Sequence, residues 1–74
     1  MYTILIKKSS LGYIAENKRL GVTAIGLTKT QAVNLCIRGM AIILKDQARI
    51  LEGVFSKRKR DREAAKKLCQ INEI

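Results

Sequence analysis

The chain has 74 residues, 47% of them hydrophobic, with one Phe, two Tyr and no Trp. A chain of this length buries only about 60% of the surface that its unfolded form exposes, so it holds one small domain and no deep, two-walled cleft. Its 15 Lys and Arg against 6 Asp and Glu give a net charge of +9. This charge favours a polyanionic partner, without choosing among nucleic acid, an acidic protein and an anionic membrane.

The first third of the chain predicts three antiparallel strands. Residues 1–8 alternate, with Tyr2, Ile4 and Ile6 on one side, as in a strand with one buried face. Residues 12–16 supply a second strand and residues 21–27 a third, joined by a polar connection of hairpin length at residues 17–19. The pattern indicates a β-meander that leads directly into a helix.

Thr28 and Gln31 predict the start of that helix. A threonine followed three residues later by glutamine is a capping box, in which each side chain satisfies a backbone N–H of the first turn. After it, apolar residues recur at three- and four-residue spacing, which indicates one buried helical face. They are Val33, Cys36, Ile37, Met40, Ile43, Leu44, Ala48 and Leu51.

The end of the helix is harder to predict, because the sequence has no proline and only Gly39 and Gly53 as breakers in this region. Gly39 lies inside the periodic stretch and is interpreted as a site of close packing. We predict a helix that ends at about Glu52. The alternative is an earlier end followed by a short fourth strand over residues 48–55.

The last segment, residues 56–74, predicts a second helix capped by Ser56. Four cations at residues 57–60 would then lie at the helix N-terminus, where the helix dipole disfavours them. Two alternatives therefore stay open: an extended basic segment that orders on binding, or one helix that continues through Ser56. The pair Glu63 and Lys67 favours a helix from about Asp61 onward.

These elements predict an α+β fold. A three-stranded antiparallel β-meander packs on one long amphipathic helix, followed by a basic C-terminal helix or tail. Residues 1–55 form the β-β-β-α core domain, and residues 56–74 form a basic helical segment that is not an independent domain.

The sequence contains no pattern typical of an enzyme. It has no histidine, its six carboxylates are scattered, and no glycine-rich loop matches a phosphate-binding motif. We therefore expect no catalytic residues, no cofactor and no metal ligands. Cys36 is expected to be a buried, inert thiol, and Cys69 to have a structural or incidental role, whether buried or exposed.

Cysteine usage and the N-terminus predict the compartment. Two cysteines do not make a disulfide framework, so a reduced, cytoplasmic protein is expected. The longest strongly apolar run, residues 40–44, is far below the roughly 20 residues that span a bilayer, and residues 1–20 do not read as a signal peptide. We expect no membrane partner.

Clustered cations are the candidate contact residues for a partner or for nucleic acid. Lys and Arg side chains gain affinity for phosphates by releasing condensed counterions. A solvated basic tail is an equally weighted interpretation, since no aromatic residue interleaves the cluster to stack on bases. An open strand edge that pairs with another strand, including that of a second copy, is a further binding mode. The candidate contact residues are Lys57, Arg58, Lys59, Arg60, Arg62, Lys66 and Lys67.

Residues 12–16, Gly-Tyr-Ile-Ala-Glu, resemble the second-strand signature of the HicB-type antitoxins. Residues 21–32, Gly-Val-Thr-Ala-Ile-Gly-Leu-Thr-Lys-Thr-Gln-Ala, are similar to the strand-to-helix signature that follows it in this family. The resemblance covers about residues 1–45. It implies a compact β-β-β-α domain, a truncated relative of the ribonuclease H architecture, that binds and blocks a small ribonuclease toxin and often dimerises.

Three functions follow as hypotheses. The first is a non-enzymatic binding protein of HicB-like fold that blocks a protein partner, such as a toxin, and that can form a homodimer. The second is a nucleic-acid-binding module that uses the basic segment. The third is an inhibitor encoded by a phage or another mobile element, which binds a subunit of a bacterial defence complex in the manner of an anti-CRISPR protein.

Overall fold

A computed structural model of the chain describes residues 1–73. The fold is α+β, with a mixed sheet and three α-helices. The strands are β1 (Tyr2–Ser9), β2 (Gly12–Asn17), β3 (Val22–Gly26) and β4 (Cys69–Glu73). The helices are α1 (Lys29–Ile43), α2 (Ala48–Leu51) and α3 (Lys59–Leu68), with 3-10 segments at Lys45–Gln47 and Glu52–Phe55.

The sheet has four strands in the order β3-β2-β1-β4, so the predicted three-stranded meander is incomplete. The two antiparallel hairpins β1-β2 and β2-β3 form as predicted. The additional strand β4 lies parallel to β1, with Tyr2 opposite Cys69 and Ile6 opposite Glu73. Its polar sequence shows little strand propensity. The strand therefore forms through its pairing with β1, and not through the preference of its own residues.

A buried asparagine holds the connection between β2 and β3. Asn17 is 1% exposed, and its side-chain nitrogen donates to the Thr3 carbonyl at 3.0 Å. Its side-chain oxygen accepts from the Leu20 N–H at 2.7 Å. Gly21 follows with a φ of 69°, a left-handed conformation that favours glycine in a tight turn. The loop is thereby fixed against β1.

The predicted cap of α1 is confirmed. The Thr28 hydroxyl accepts from the Gln31 N–H at 3.1 Å, and the Gln31 side-chain oxygen accepts from the Leu27 N–H at 2.8 Å. The Gln31 side chain therefore bonds the N–H of Leu27, the residue before the cap residue, and not that of Thr28 itself. Helix α1 lies on one face of the sheet, with its buried side formed by Ala32, Val33, Cys36, Ile37 and Met40.

The predicted end of α1 at about Glu52 is wrong, and so is the alternative strand over residues 48–55. The helix ends at Ile43, and the chain turns at Leu44, whose φ of −100° and ψ of 61° are not helical. A straight continuation would carry Leu51 about 12 Å beyond Ile43 along the helix axis. The turn instead returns Leu51 to the core, where it is fully buried, and leaves Ile43 exposed.

Residues 59–73 form α3 and β4. Ser56 is not the N-cap residue of α3, because the helix begins at Lys59 and Ser56 has an extended backbone. A single helix through Ser56 is therefore also wrong. Helix α3 packs on the 3-10 segment that precedes it, where a Cβ at Gly53 would lie 2.8 Å from the Asp61 carbonyl oxygen. Ala65 of α3 is fully buried.

Candidate functional site

Six of the seven predicted contact residues are exposed on α3 and on the two residues that precede it. We call this set the basic surface. Helical spacing of 100° per residue places Arg60 and Lys67 on one strip of α3, and Lys59 and Lys66 on the neighbouring strip. The basic surface consists of Lys57, Arg58, Lys59, Arg60, Lys66 and Lys67.

Arg62, the seventh predicted contact residue, has a different place. It is half-buried, and its Nη1 donates to the Ser56 carbonyl at 2.8 Å and to the Lys57 carbonyl at 3.0 Å. The Ser56 hydroxyl accepts from the Arg58 N–H at 3.2 Å and donates to the Asp61 carboxylate at 3.2 Å. These bonds fold the loop against α3. Arg62 therefore positions Lys57 and Arg58 rather than joining them at the surface.

The charge of the basic surface is largely uncompensated. Within residues 1–73 its only ion pair joins Lys59 to Glu63 at 3.9 Å, with both side chains exposed. The N-cap residue of α3, Arg58, makes no side-chain cap bond, and the positive dipole end of the helix lies beside the cations, with Asp61 as the acidic residue of the first turn. An anionic partner at this end would interact favourably with both the dipole and the cations.

Sequence reasoning missed two shallow grooves that meet at Ser56, just before the basic surface. The first, of about 580 Å³, lies between α1 and the 3-10 segment Glu52–Phe55, and the second, of about 410 Å³, lies between α2 and α3. The first contains Arg38 and Phe55, the second Arg49 and Arg58. Phe55 is 46% exposed. In the sequence, Phe55 stands two residues before the cations at residues 57–60, and this position could have indicated an aromatic side chain near them.

Both cysteines are buried and free. Burial, followed by the nearby Cys69, raises the pKa of the Cys36 thiol to about 11. Burial also raises the pKa of Cys69. Both side chains are therefore protonated thiols at neutral pH, which disfavours nucleophilic or redox chemistry. Among residues 1–73 no group of three or more Cys, Asp or Glu side chains could hold a metal ion.

The sheet has two outer strands with different side chains. The outer strand β3 carries no charged residue, and exposed apolar side chains surround it. The other outer strand, β4, carries Gln70, Asn72 and Glu73. Lys29 from the first turn of α1 reaches Glu73 at 2.8 Å, and both side chains are half-exposed or more.

No family model, no curated protein and no solved structure matches the chain. The likeness to the HicB-type antitoxins therefore rests on the residues quoted above. Across the part of the chain that the structure describes, no helix has the length and apolar character needed to cross a membrane.

Proposed function

We propose that this chain is a small non-enzymatic binding protein that blocks a protein partner, resembling a HicB-type antitoxin, and that the basic surface is its contact. One observation carries the proposal. Six exposed cations lie on α3 and on the loop before it, which the bonds of Arg62 fold against the helix, and within residues 1–73 they form a single long ion pair. A preformed surface of this kind loses little conformational entropy when it binds.

Two further features support a protein partner. The element order β1-β2-β3-α1 is the order that the resemblance to HicB-type antitoxins implies. The grooves beside the basic surface are shallow and mixed in polarity, which suits a partner that lies across several elements better than an enclosed small molecule. The partner would present acidic side chains, in a toxin or in a subunit of a defence complex.

The test is affinity capture from an extract of the source cells, with the captured proteins identified by mass spectrometry. One variant changes Lys57, Arg58, Lys59 and Arg60 to Ser. A matched control changes four exposed lysines elsewhere, Lys7, Lys8, Lys18 and Lys45, to Ser, so both variants lose the same charge.

The wild-type chain and the control are expected to capture the same partner, and the basic-surface variant to lose it. Rim charges act mainly through long-range attraction, so higher salt should weaken the capture. Capture of the same partner by the basic-surface variant would overturn the assignment of the contact.

A nucleic-acid-binding function is the second candidate, and the exposed Phe55, which lines one groove together with Arg38, is the observation that favours it. An exposed ring next to cations can stack on an unpaired base, which is worth about 1–3 kcal/mol per base. Fluorescence anisotropy with a labelled single-stranded oligonucleotide would show log affinity falling linearly with log salt. Phe55→Ala should then reduce affinity about tenfold, and the absence of any binding at low salt would exclude this candidate.

A further inference from the structure

The outer side of β4 is an open edge of the sheet. Within residues 1–73, β4 pairs only with β1, in a parallel register from Tyr2 opposite Cys69 to Ile6 opposite Glu73. In an outer strand, the N–H and C=O groups of every second residue point away from the sheet and lack a strand partner. Strand β4 follows α3 directly, so this edge begins beside the cations that end the helix. Its outward backbone groups are available to an additional strand.

The helices cover β1 but stop short of the outer side of β4. Ile4 and Ile71 lie opposite each other in the two strands, so their side chains share the face on which α1 packs. Ile4 is fully buried, whereas Ile71 is 39% exposed. The apolar face of the sheet therefore continues onto β4 without a cover. A strand added beside β4 would bury Ile71.

A groove at the start of β4 contains this uncovered apolar surface. Its volume is about 480 Å³, and its lining residues are Met1, Val54, Lys66, Cys69, Gln70 and Ile71. Apart from Lys66 and Gln70 the lining is apolar, so the groove favours a large apolar side chain. Because residues of β4 form one side of the groove, a strand that pairs with β4 would carry its own side chains to this place.

The charge beside the groove selects the chemistry of the added strand. Lys66 is the one charged residue among the described residues that line the groove. Within residues 1–73, neither Lys66 nor the adjacent Lys67 forms an ion pair. The acid of β4, Glu73, lies at the other end of the strand and pairs with Lys29 at 2.8 Å. An acidic side chain at the groove would therefore meet free cations.

We infer that an extended acidic segment of the protein partner adds to β4 as a further strand, with an apolar side chain in the groove and a neighbouring Asp or Glu on Lys66. The inference rests on the proposed function only in that the partner is a protein. In such pairing, main-chain hydrogen bonds supply affinity and a side-chain pocket supplies specificity. Most of the groove comes from residues 54–71, outside the resemblance to the HicB-type antitoxins at residues 1–45.

Selection from a random peptide library displayed on phage, with the purified chain as bait, tests this inference. Enriched peptides should share a large apolar residue with an Asp or Glu close to it. The most enriched peptide is then synthesised with a fluorescent label, and its Kd is measured by anisotropy.

Two variants of equal charge compare the two outer strands. Ile71→Glu should raise the Kd of the peptide by about 30-fold, because it removes apolar contact and repels the acidic segment. Ile25→Glu places the same change at an exposed position of β3 and should alter the Kd by less than about twofold. Circular dichroism of both variants verifies the fold.

Lys66→Ala tests the charge at the groove with an exposed change that leaves the core intact. It should raise the Kd by about threefold, as expected for one solvent-exposed ion pair. Lys57→Ala is the matched control, because Lys57 is an exposed cation outside the groove. Equal effects of the two changes would contradict the contact with Lys66.

Methylation of single backbone nitrogens of the peptide tests the strand pairing itself. In a paired strand, successive N–H groups point alternately towards the neighbouring strand and away from it. A methyl group on a nitrogen that faces β4 should weaken binding by about tenfold, and one on the next nitrogen should have little effect. Equal losses at successive nitrogens would overturn the pairing with β4.

The remaining outcomes separate this inference from the proposed contact at the basic surface. Failure of the wild-type chain to enrich any peptide would overturn the inference, and so would equal affinity for Ile71→Glu and Ile25→Glu. The variant that changes residues 57–60 to Ser should keep the peptide, because these cations lie outside the groove. If that variant also captures the partner from extract, the contact at the basic surface fails while the inference for β4 stands.

Discussion

The two sides of the sheet are built in opposite ways. On the β3 side, consecutive hairpins lead straight into α1, and small residues allow close packing: a Cβ at Gly26 would meet the backbone of Ala32, and one at Gly39 the side chain of Val22. On the β4 side, the strand returns only after three helices, and large apolar side chains such as Ile4, Ile37 and Leu51 fill the space. The first side follows from neighbours in sequence, whereas the second depends on contacts between distant segments.

This difference predicts opposite sensitivities to mutation. The β3 side should be damaged by added atoms, because there is no space for them between the backbones. The β4 side should be damaged by removed atoms, because a cavity remains where a large side chain was. The following four changes test this contrast, from the largest expected effect to the smallest.

Leu51→Ala should have the largest effect. Leu51 is fully buried and joins α2 to the core, so its truncation is expected to lower the free energy of unfolding by about 3 kcal/mol. Urea unfolding followed by circular dichroism measures the loss. Ile50→Ala, one residue earlier and partly exposed, is the control and should change stability by less than about 1 kcal/mol. Equal losses for the two variants would contradict this account of the β4 side.

Gly26→Ala tests the β3 side with an added methyl group. The new Cβ would lie 2.6 Å from the Ala32 nitrogen and 3.0 Å from its Cα, so the backbones of β3 and α1 must separate. The expected loss is about 2 kcal/mol. Gly39→Ala is the comparison: its Cβ would lie 2.7 Å from a methyl group of Val22, which must shift, but alanine also gains about 1 kcal/mol of helix propensity, so a smaller loss is expected. A larger loss of unfolding free energy for Gly39→Ala than for Gly26→Ala would contradict this account of the β3 side.

Thr28→Ala removes the cap where the β3 side enters α1. Loss of the bond to the Gln31 N–H should cost about 1 kcal/mol of unfolding free energy. Thr30→Ala changes the same residue type two positions later, where the hydroxyl forms no hydrogen bond among the described residues, and should be close to neutral. Thermal unfolding of both variants in parallel measures the difference, and equal midpoints would show that the cap contributes nothing.

Glu73→Gln should have the smallest effect, since it removes an exposed ion pair that links α1 to β4. A hydrogen bond from Lys29 to Glu73, and then the charge of Glu73, raises the pKa of Lys29 above 10.5. The stabilisation is therefore complete below pH 10.5 and disappears as the pH rises through the raised pKa.

The melting temperatures of wild type and Glu73→Gln should accordingly differ slightly at neutral pH and converge in strongly alkaline buffer. High salt should also reduce the difference, because both side chains are in solvent. Glu63→Gln, which removes the longer pair with Lys59, is the control with the weaker effect. A difference that persists in alkaline buffer would show that Glu73 stabilises β4 by another contact.

The sequence predicted the β3 side well and the β4 side poorly. Three strands and the cap at Thr28 followed from alternation, turn residues and the Thr-Gln spacing, all of which act over a few positions. The end of α1 at Ile43 has no glycine or proline to mark it. The turn at this point lets Leu51 reach the core. Periodicity cannot show such a turn, because Ala48 and Leu51 continue the helical spacing although the chain turns between them and Met40.

The sequence predicted which residues form the basic surface, apart from Arg62, but it did not predict how they are arranged in space. Exposure of Lys57 to Arg60 follows from their charge, but the inward turn of Arg62 depends on the carbonyls of Ser56 and Lys57, which become neighbours only after the loop folds. Arg38 and Phe55 lie on separate segments, so their proximity required the packing of α1 against the 3-10 segment.

The parallel pairing of β1 with β4 also sets an order of events during protein synthesis. Tyr2 and its partner Cys69 are 67 positions apart, so the outer side of β1 has no partner strand when the hairpins first form. The interval from Gly26, where β3 ends, to Cys69 spans 43 positions and lasts roughly 2–9 s at translation rates of 5–20 residues per second. During it both outer strands of the nascent sheet, β1 and β3, are open to other chains. Molecular chaperones that cover exposed strand edges would therefore act on the β1 edge before β4 emerges and closes it.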